Sequence, residues 1–496
     1  QYEQLDTDPP ADREFQAQTP RPSLPSQYPD TRRAMLLSLI YKEIVHNVLS
    51  LRFMVTFVLF FVLTMVSVYT MTTDYHRKRA VHDASVSLHR DAITNIAGTE
   101  DEDQKFHNLL YGGGGIYGDR APLPLGVFVN GLEHDLPSQV NVSLWQTRKV
   151  QEDRYENPLL RLFATPDYAY VVNIVISLLA LLFVFDSICG EKEQGTLKLL
   201  LANSVPRDLV LLGKWVGGYL SLAVPLLASL FAAVIYVILI GSVPMSTEFL
   251  SRLGWVVAVS LLYVSVFFAL GMMISTATHK ASTALLVSLF VWVCWILVVP
   301  NLAAVAAKFI SPVPTPQKVQ SEKVAIDRET QIRRDRIEQS NLGYGKRTQQ
   351  LIEKIEQDAQ DRKERIDQFY EDKLRGQIDW SQNLSRLSPS ASFVYAATDL
   401  AGTGVSLYSS FRTGSQRFSQ EFNDWAQDWD DRFHEHDEVY PEEGWLSPET
   451  LPALQIVAQR LDDTVSLALT DMLLLLVYNA LFFMLSYAFF LRYDVT

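Results

Sequence analysis

The apolar positions of this chain come in blocks rather than in alternation. Six stretches are nearly free of charge and long enough to cross a hydrocarbon core: 53–73, 168–189, 215–241, 252–275, 281–306 and 464–491. In lipid such a run must be helical, because a helix satisfies its own amides and carbonyls. The pattern predicts an all-α membrane protein with six transmembrane helices. The first block is too long for a cleaved signal, and no small-residue cleavage site follows it.

Between the blocks the rhythm changes. Residues 1–32 are rich in Pro, Gln and Asp and predict a disordered N-terminus. In "RAMLLSLIYKEIVHNVLSL", 33–51, Met35, Leu36, Ile40, Ile44, Val45 and Leu49 fall near one helical face, with Arg33, Lys42 and Glu43 elsewhere. That predicts an amphipathic helix in the membrane interface. Residues 74–167 form a first loop region, with the turn-rich "YGGGGIYGDRAPLPLG" at 111–126, and 242–251 is a short loop. Residues 307–463 form a larger region, expected to be mainly helical.

Within that larger region, 321–380 is densely charged over a thin stripe of Leu351, Ile355, Ala359, Ile366, Phe369, Tyr370 and Leu374. It predicts long exposed helices, with a hairpin turn near "NLGYGK" at 341–346. The stretch "LSPSASFVYAATDLAGTG", 387–404, is less polar. Phe422, Trp425, Trp429 and Phe433 recur at helical spacing among acids, a stripe expected to pack beneath the region rather than rest on the membrane.

Charge orients the spans. Arg32, Arg33, Lys42, Arg52, Lys192, Lys198, Arg207, Lys214, Lys280 and Arg492 all fall on one side, which the positive-inside rule assigns to the cytoplasm. Both termini are then cytoplasmic, and 74–167 and 307–463 are periplasmic. The cluster His76-Arg77-Lys78-Arg79 opposes this, but long loops cross largely regardless of charge. The formal charge of −13, carried mainly by the loops, argues against a nucleic-acid surface. Two cysteines, Cys189 and Cys294, both in spans, provide neither a disulfide framework nor zinc spacing.

The short cytoplasmic loop 190–214, "GEKEQGTLKLLLANSVPRDLVLLGK", carries the most specific signal. Glu191 and Glu193 suit the positive end of a helix dipole. Leu197, Leu200 and Leu201 share an apolar face, and Pro206 stops the helix before Arg207 begins another that leads into Lys214. Such an element, held between two spans, is a lever for a soluble partner. Its polar ends are expected to face that partner and its leucines the membrane helices.

The order Glu191, Glu193, Gly195, Thr196, Leu200, Leu201, Pro206, Arg207, Gly213, Lys214 resembles the loop between the second and third spans of ABC-2 type export permeases. Many members carry a proline where this chain has Ser204. The N-terminal helix, "ISTATHKASTALLVSLFVW" at 274–292, the large insertion before the last span and 387–404 also resemble one branch. Its members are often labelled as permeases for multicopper-enzyme maturation. The resemblance implies a coupling helix at about 191–203 that docks on a nucleotide-binding subunit. It also implies a second permease chain, identical or similar, in a bacterial inner membrane.

No G-x-x-x-x-G-K-[ST] occurs in the chain, so ATP and Mg²⁺ are expected in a separate ATPase and the chain itself is not expected to be an enzyme. His434 and His436, in "HEHDE", are the only metal candidates, and such pairs on acidic loops are ordinarily just solvated. At membrane depth, Asp471, Asn173 and Asn479 are candidate pathway residues. For Asp471 a functional role and structural pairing stand as equal alternatives. The expected function is a permease subunit of an ATP-driven exporter. The alternative is a mechanical transmitter that drives a periplasmic protein through the helices of 321–380.

Overall fold

The computed structural model describes residues 28–99, 102–110, 115–143, 146–150, 166–198, 206–241, 243–339, 346–435 and 446–492. Six helices in it are long and apolar enough to cross a membrane. They are α2 (Leu51–Ala97), α4 (Tyr168–Gln194), α5 (Arg207–Ile240), α6 (Thr247–Ala277), α7 (Ala281–Ile310) and α12 (Leu461–Leu491). The protein is an all-α membrane protein, with one small sheet among the described residues. α6 is the centre of the bundle: 72% of its apolar window is buried inside the chain, against 17% for α7 and 22% for α12. The outer faces of the last two are left for lipid or protein.

Local chemistry sets several boundaries. An amphipathic α1 (Tyr28–Val48) precedes the first span, starting five residues earlier than its apolar face suggests. Ser50 then caps α2, its side chain accepting from the Phe53 amide. Asp167 and Ser246 cap α4 and α6 in the same way. Gly241, at φ 69°, closes α5.

The first apolar block does not end its helix. α2 continues from residue 73 to Ala97, so the region beginning at 74 opens as a helix. Its charged part is laced by local pairs such as Lys78–Asp74 at 2.8 Å, and its end packs Ile93, Ile96 and Ala97 into a small domain. That domain contains α3 (Glu102–Leu110) and an antiparallel sheet of β1 (Ile116–Asp119), β2 (Gln139–Ser143) and β3 (Gln146–Val150), in the order β1-β2-β3. Val140 and Val142 of the central strand pack against Phe411, Phe418 and Phe422. These come from a helix within 307–463, so the two loop regions share one core. Trp425 and Trp429 pack against it too, while the Phe433 side chain lies outside the described residues.

The larger region begins as a charged hairpin of α8 (Pro316–Gln339) and α9 (Lys346–Ser385). The expected turn, 341–346, lies almost wholly outside the described residues. Ion pairs rather than a wide apolar seam join the two helices: Lys323–Asp367 at 2.6 Å, Arg362–Glu329 at 3.1 Å, and Lys363–Asp327.

The next segment corrects the expectation that 307–463 is wholly external. After α9 the chain turns into α10 (Pro389–Ala401), which lies inside the bundle against α6 and α12. At its start Ser388 donates to the Trp295 carbonyl at 2.5 Å and Ser390 to Asn173 at 2.8 Å. Phe393 stacks on Tyr263 with centroids 4.3 Å apart, midway along α6. At its other end Leu400 meets Arg252 in an early turn of α6. The chain therefore reaches the middle of the spans at the turn before α10, and α10 leads back out toward the first turns of α6. Gly402, at φ 74°, ends it, and α11 (Val405–Glu435) returns to the sheet.

In the small domain Glu133 is 4% exposed, and its Oε1 accepts from the Leu123 amide at 2.8 Å. Burial pushes its carboxyl above the usual carboxylate range, against the pull of that amide and of Arg120. The folded chain thus holds this proton more tightly than the unfolded chain. The resulting stability is full below the ordinary carboxyl range and is lost as pH rises through the raised value. Thermal unfolding of the chain in detergent should weaken across that window. Glu133→Gln, which keeps an acceptor for Leu123, should flatten the dependence, and an unaltered profile would exclude this carboxyl as its source.

Candidate functional site

The loop between α4 and α5 forms an elbow whose groups bond to every neighbouring helix end. α4 ends in a short helical piece, Cys189–Gln194, closed by Gly195 at φ 75°. No atom lies within 4 Å of where a Gly195 Cβ would sit, so the backbone conformation alone calls for glycine there. This corrects a continuous helix from 191 to 203. Residues 196–198 are helical again, and 199–205, with Leu200 and Leu201, lie outside the described residues. Leu197 is fully buried, as its apolar face requires. Pro206 stands just before α5.

Several charged residues of the elbow bond inward to neighbouring helices, while Glu193 and Lys198 remain exposed. Lys214 lies within α5 and is 7% exposed. Its ammonium donates to Glu191 at 2.7 Å and to Glu43 of α1 at 3.1 Å. Lys192 donates to the carbonyls of Thr276 and Thr278, where α6 ends with orphan acceptors. Glu193 accepts from the Ala281 amide at 3.1 Å, at the positive start of α7. Arg207 donates to the Leu491 carbonyl at 2.9 Å, at the end of α12. Arg52 of α2 pairs with Asp186 at 2.7 Å. Thr196 bonds weakly back to the Glu191 carbonyl at 3.4 Å. What the elbow shows to solvent is Glu193, Gln194, Gly195, Thr196 and Lys198.

Two further features hold this end together. Ser275 of α6 accepts from the amides of both Ile188 and Cys189 at 3.1 Å, where α4 loosens into a turn at 185–188. On α5, Gly213 and Gly217 let α1 approach closely. A Cβ at Gly217 would sit 2.7 Å from Glu43 Cβ and 3.0 Å from the Ile40 carbonyl oxygen. Small residues spaced by four are a legible packing signal, and they bring Glu43 within reach of Lys214. Sequence gave Glu43 and Lys192 no role beyond their charge and did not mark Ser275 as part of this site.

A second polar layer lies at mid-depth. Asp471 is fully buried and forms a bidentate pair with Arg386 at 2.8 and 2.9 Å. Its partner is thus not another span but the turn between α9 and α10. Tyr478 donates to the carbonyls of Arg386 and Leu387 in that turn. Asn173 Oδ1 accepts from Tyr263 and Ser390, both at 2.8 Å. Asn173 sits in a π turn of α4, Val171–Ile176, whose loosened carbonyl of residue 173 accepts from Tyr263 at 2.9 Å and Ser177 at 2.5 Å. Asn479 is half-buried and takes part in none of these bonds. The His434 side chain and all of His436 lie outside the described residues, and no cluster with metal-ligand character occurs among the described ones.

A family model described as ABC-2 family transporter protein matches residues 37–495. A probable ABC transporter permease protein NosY from Stutzerimonas stutzeri is 35% identical over 131 residues, which is 26% of this chain and 47% of that protein. The protein of the same description from Pseudomonas aeruginosa is 32% identical over 127 residues, 26% of this chain and 46% of that protein. The chain spans about half the length of these curated relatives.

Replacing Lys214 by methionine would leave Glu43 and Glu191 facing each other without their shared cation. Breaking a buried ion pair from one side costs about 3 kcal/mol. Lys214→Met should therefore lower stability in detergent unfolding by roughly that amount, and adding Glu43→Gln should restore part of it. A single variant as stable as the parent would show that the site is effectively hydrated.

Proposed function

The chain belongs to the ABC-2 family of transporter proteins, and from that premise we propose that it is the transmembrane permease subunit of an ATP-driven exporter in a bacterial inner membrane. The observation that carries the reading is the elbow. It presents a small solvent-facing surface at 193–198, while its inward charges bond to α1, α6, α7 and α12. A soluble ATPase, holding ATP and Mg²⁺, would grip that surface. Two permease chains and two ATPase chains would make the working unit, with both permease termini in the cytoplasm.

The energetics follow from the bonding. An effector shifts a conformational equilibrium only by what it binds differently in the two states. The ATPase must therefore hold the elbow differently with and without ATP. Because the elbow is bonded to four other helices, moving it alone would break those bonds, so displacement is shared with the bundle. The result is an outward-directed rearrangement of the spans.

One observation favours a second reading, mechanical transmission to a periplasmic partner. α9 is a single helix of 40 residues, about 60 Å long. Its lower end leads into Arg386, locked on Asp471 of α12. Motion of α12 would be carried along a stiff charged rod far from the bundle.

Gly195→Pro cannot hold the backbone at φ 75°. It should leave ATPase subunits bound to the membrane chain in pull-down and abolish the nucleotide-dependent change in elbow accessibility, read by labelling a cysteine placed at Gln194. A normal nucleotide response in that variant would end the coupling proposal. Deletion of 321–380 separates the two readings in cells: partial export supports a conduit, and complete loss of output with intact ATPase binding supports transmission.

A further inference from the structure

A stable protein–protein interface covers about 800 Å² and about 20 residues on each partner. Among the described residues, the elbow exposes only Glu193, Gln194, Gly195, Thr196 and Lys198. A soluble subunit that holds the elbow firmly enough to move it must therefore rest on a neighbouring element as well.

The turn between α6 and α7, 278–280, is the neighbour most firmly tied to the elbow tip. Glu193 accepts from the amide of Ala281, the first residue of α7. Lys192 donates to the carbonyls of Thr276 and Thr278, where α6 ends. Ser275 accepts from the amides of Ile188 and Cys189. All of these bonds run between the same two pieces of chain, so elbow and turn keep one relative position. Ala277, His279 and Lys280 are exposed there, as are Ser282 and Thr283 in the first turn of α7. With the elbow tip they make one continuous exposed face. α1 is bonded to the elbow too, but that contact is made at the buried Lys214 rather than at the exposed tip.

The face is basic. Lys198 and Lys280 place two cations on it, and His279 adds a ring that can take a proton. Its carboxylate, Glu193, already accepts a backbone amide. The surface that complements it is acidic.

We propose that the ATPase docks on a two-part surface, the elbow tip and the α6–α7 turn, and meets the turn with acidic side chains. This rests on the elbow's being the ATPase contact and names the rest of that interface. A force applied there acts on the joined ends of α4, α6 and α7 at once. The ATPase then has no need to pull the elbow away from α6.

Photo-crosslinking of the full chain in its native membrane tests this, with p-benzoylphenylalanine placed in turn at Gln194, His279 and His46. His46 is an exposed residue of α1, the competing neighbour. Adducts at Gln194 and at His279 should both carry peptides of one protein that contains G-x-x-x-x-G-K-[ST], identified by mass spectrometry. Lys280→Glu should lower retention of that protein on the purified chain several-fold at low salt. Lys280→Arg should retain it, and the gap should narrow at high salt. A carboxylate suits the start of α7, so Lys280→Glu should keep the parent's unfolding midpoint. An adduct at Gln194 with none at His279 overturns the proposal and leaves the elbow reading standing. Lipid alone crosslinked at His279, an adduct at His46 in its place, or equal retention by all three chains also overturns it. No P-loop protein at either Gln194 or His279 removes the elbow reading as well.

Discussion

An ammonium buried at the edge of the bundle cannot be left without a counter-charge, and Lys214 answers that constraint with two carboxylates from two different elements. Glu43 comes from α1 and Glu191 from the end of α4, so one side chain of α5 fixes both. The glycines at 213 and 217 bring the α1 backbone close enough for Glu43 to reach. Removing either feature would release the other, because the ion pair needs the close approach and the close approach brings a charged helix against an apolar one. The remaining elbow bonds follow the same logic at lower stakes. Helix ends carry orphan amides and carbonyls, and this chain satisfies several of them with elbow side chains.

The mid-depth layer solves a harder version of that problem. A chain that enters the bundle and turns back must expose carbonyls and amides where water is scarce. Here the turn at 386–388 hands its carbonyls to Tyr478, its Ser388 hydroxyl to Trp295 and its guanidinium to Asp471. Pro389, at the first helical position of α10, removes one amide that would otherwise need a partner. The serines at 388, 390 and 392 are all buried.

Those same serines explain what was legible in the sequence and what was not. The apolar blocks could be read because lipid demands them over whole turns of helix, and each lies within an observed helix save Gly241, which closes α5. Helix ends were not legible where a charged continuation stayed helical, as in α2 beyond residue 73. "LSPSASFVYAATDLAGTG" stood out as less polar than its surroundings, but nothing in it said that it enters the bundle, where each small side chain fits a packed interior. Asp471 announced itself as an acid at depth, but its partner is 85 residues away in sequence and no periodicity connects them. At the elbow, the motif named Glu191, Arg207 and Lys214, but not the partners that they bond inside the chain. Nothing local distinguishes a glutamate that meets solvent from one that meets Lys214.

The two polar layers also decide which body an elbow displacement can move. α4 is not one rigid rod: it has a π turn at 171–176 and a turn at 185–188. At the second of these, the amides of Ile188 and Cys189 are held by Ser275 of α6, and Lys192 is held by the last carbonyls of that same helix. Tilting the elbow against α6 would break all of these together, whereas tilting it with α6 breaks none. The lower-cost path is therefore joint movement. α6 is the buried centre of the bundle, and midway along it Tyr263 is stacked on Phe393 and bonded to Asn173. A rotation of α6 must then carry α10 or slide the ring off its partner. Because α10 leads back through Arg386 into α9, the bonds that make the elbow stable also connect it, through the core, to the far tip of the charged hairpin.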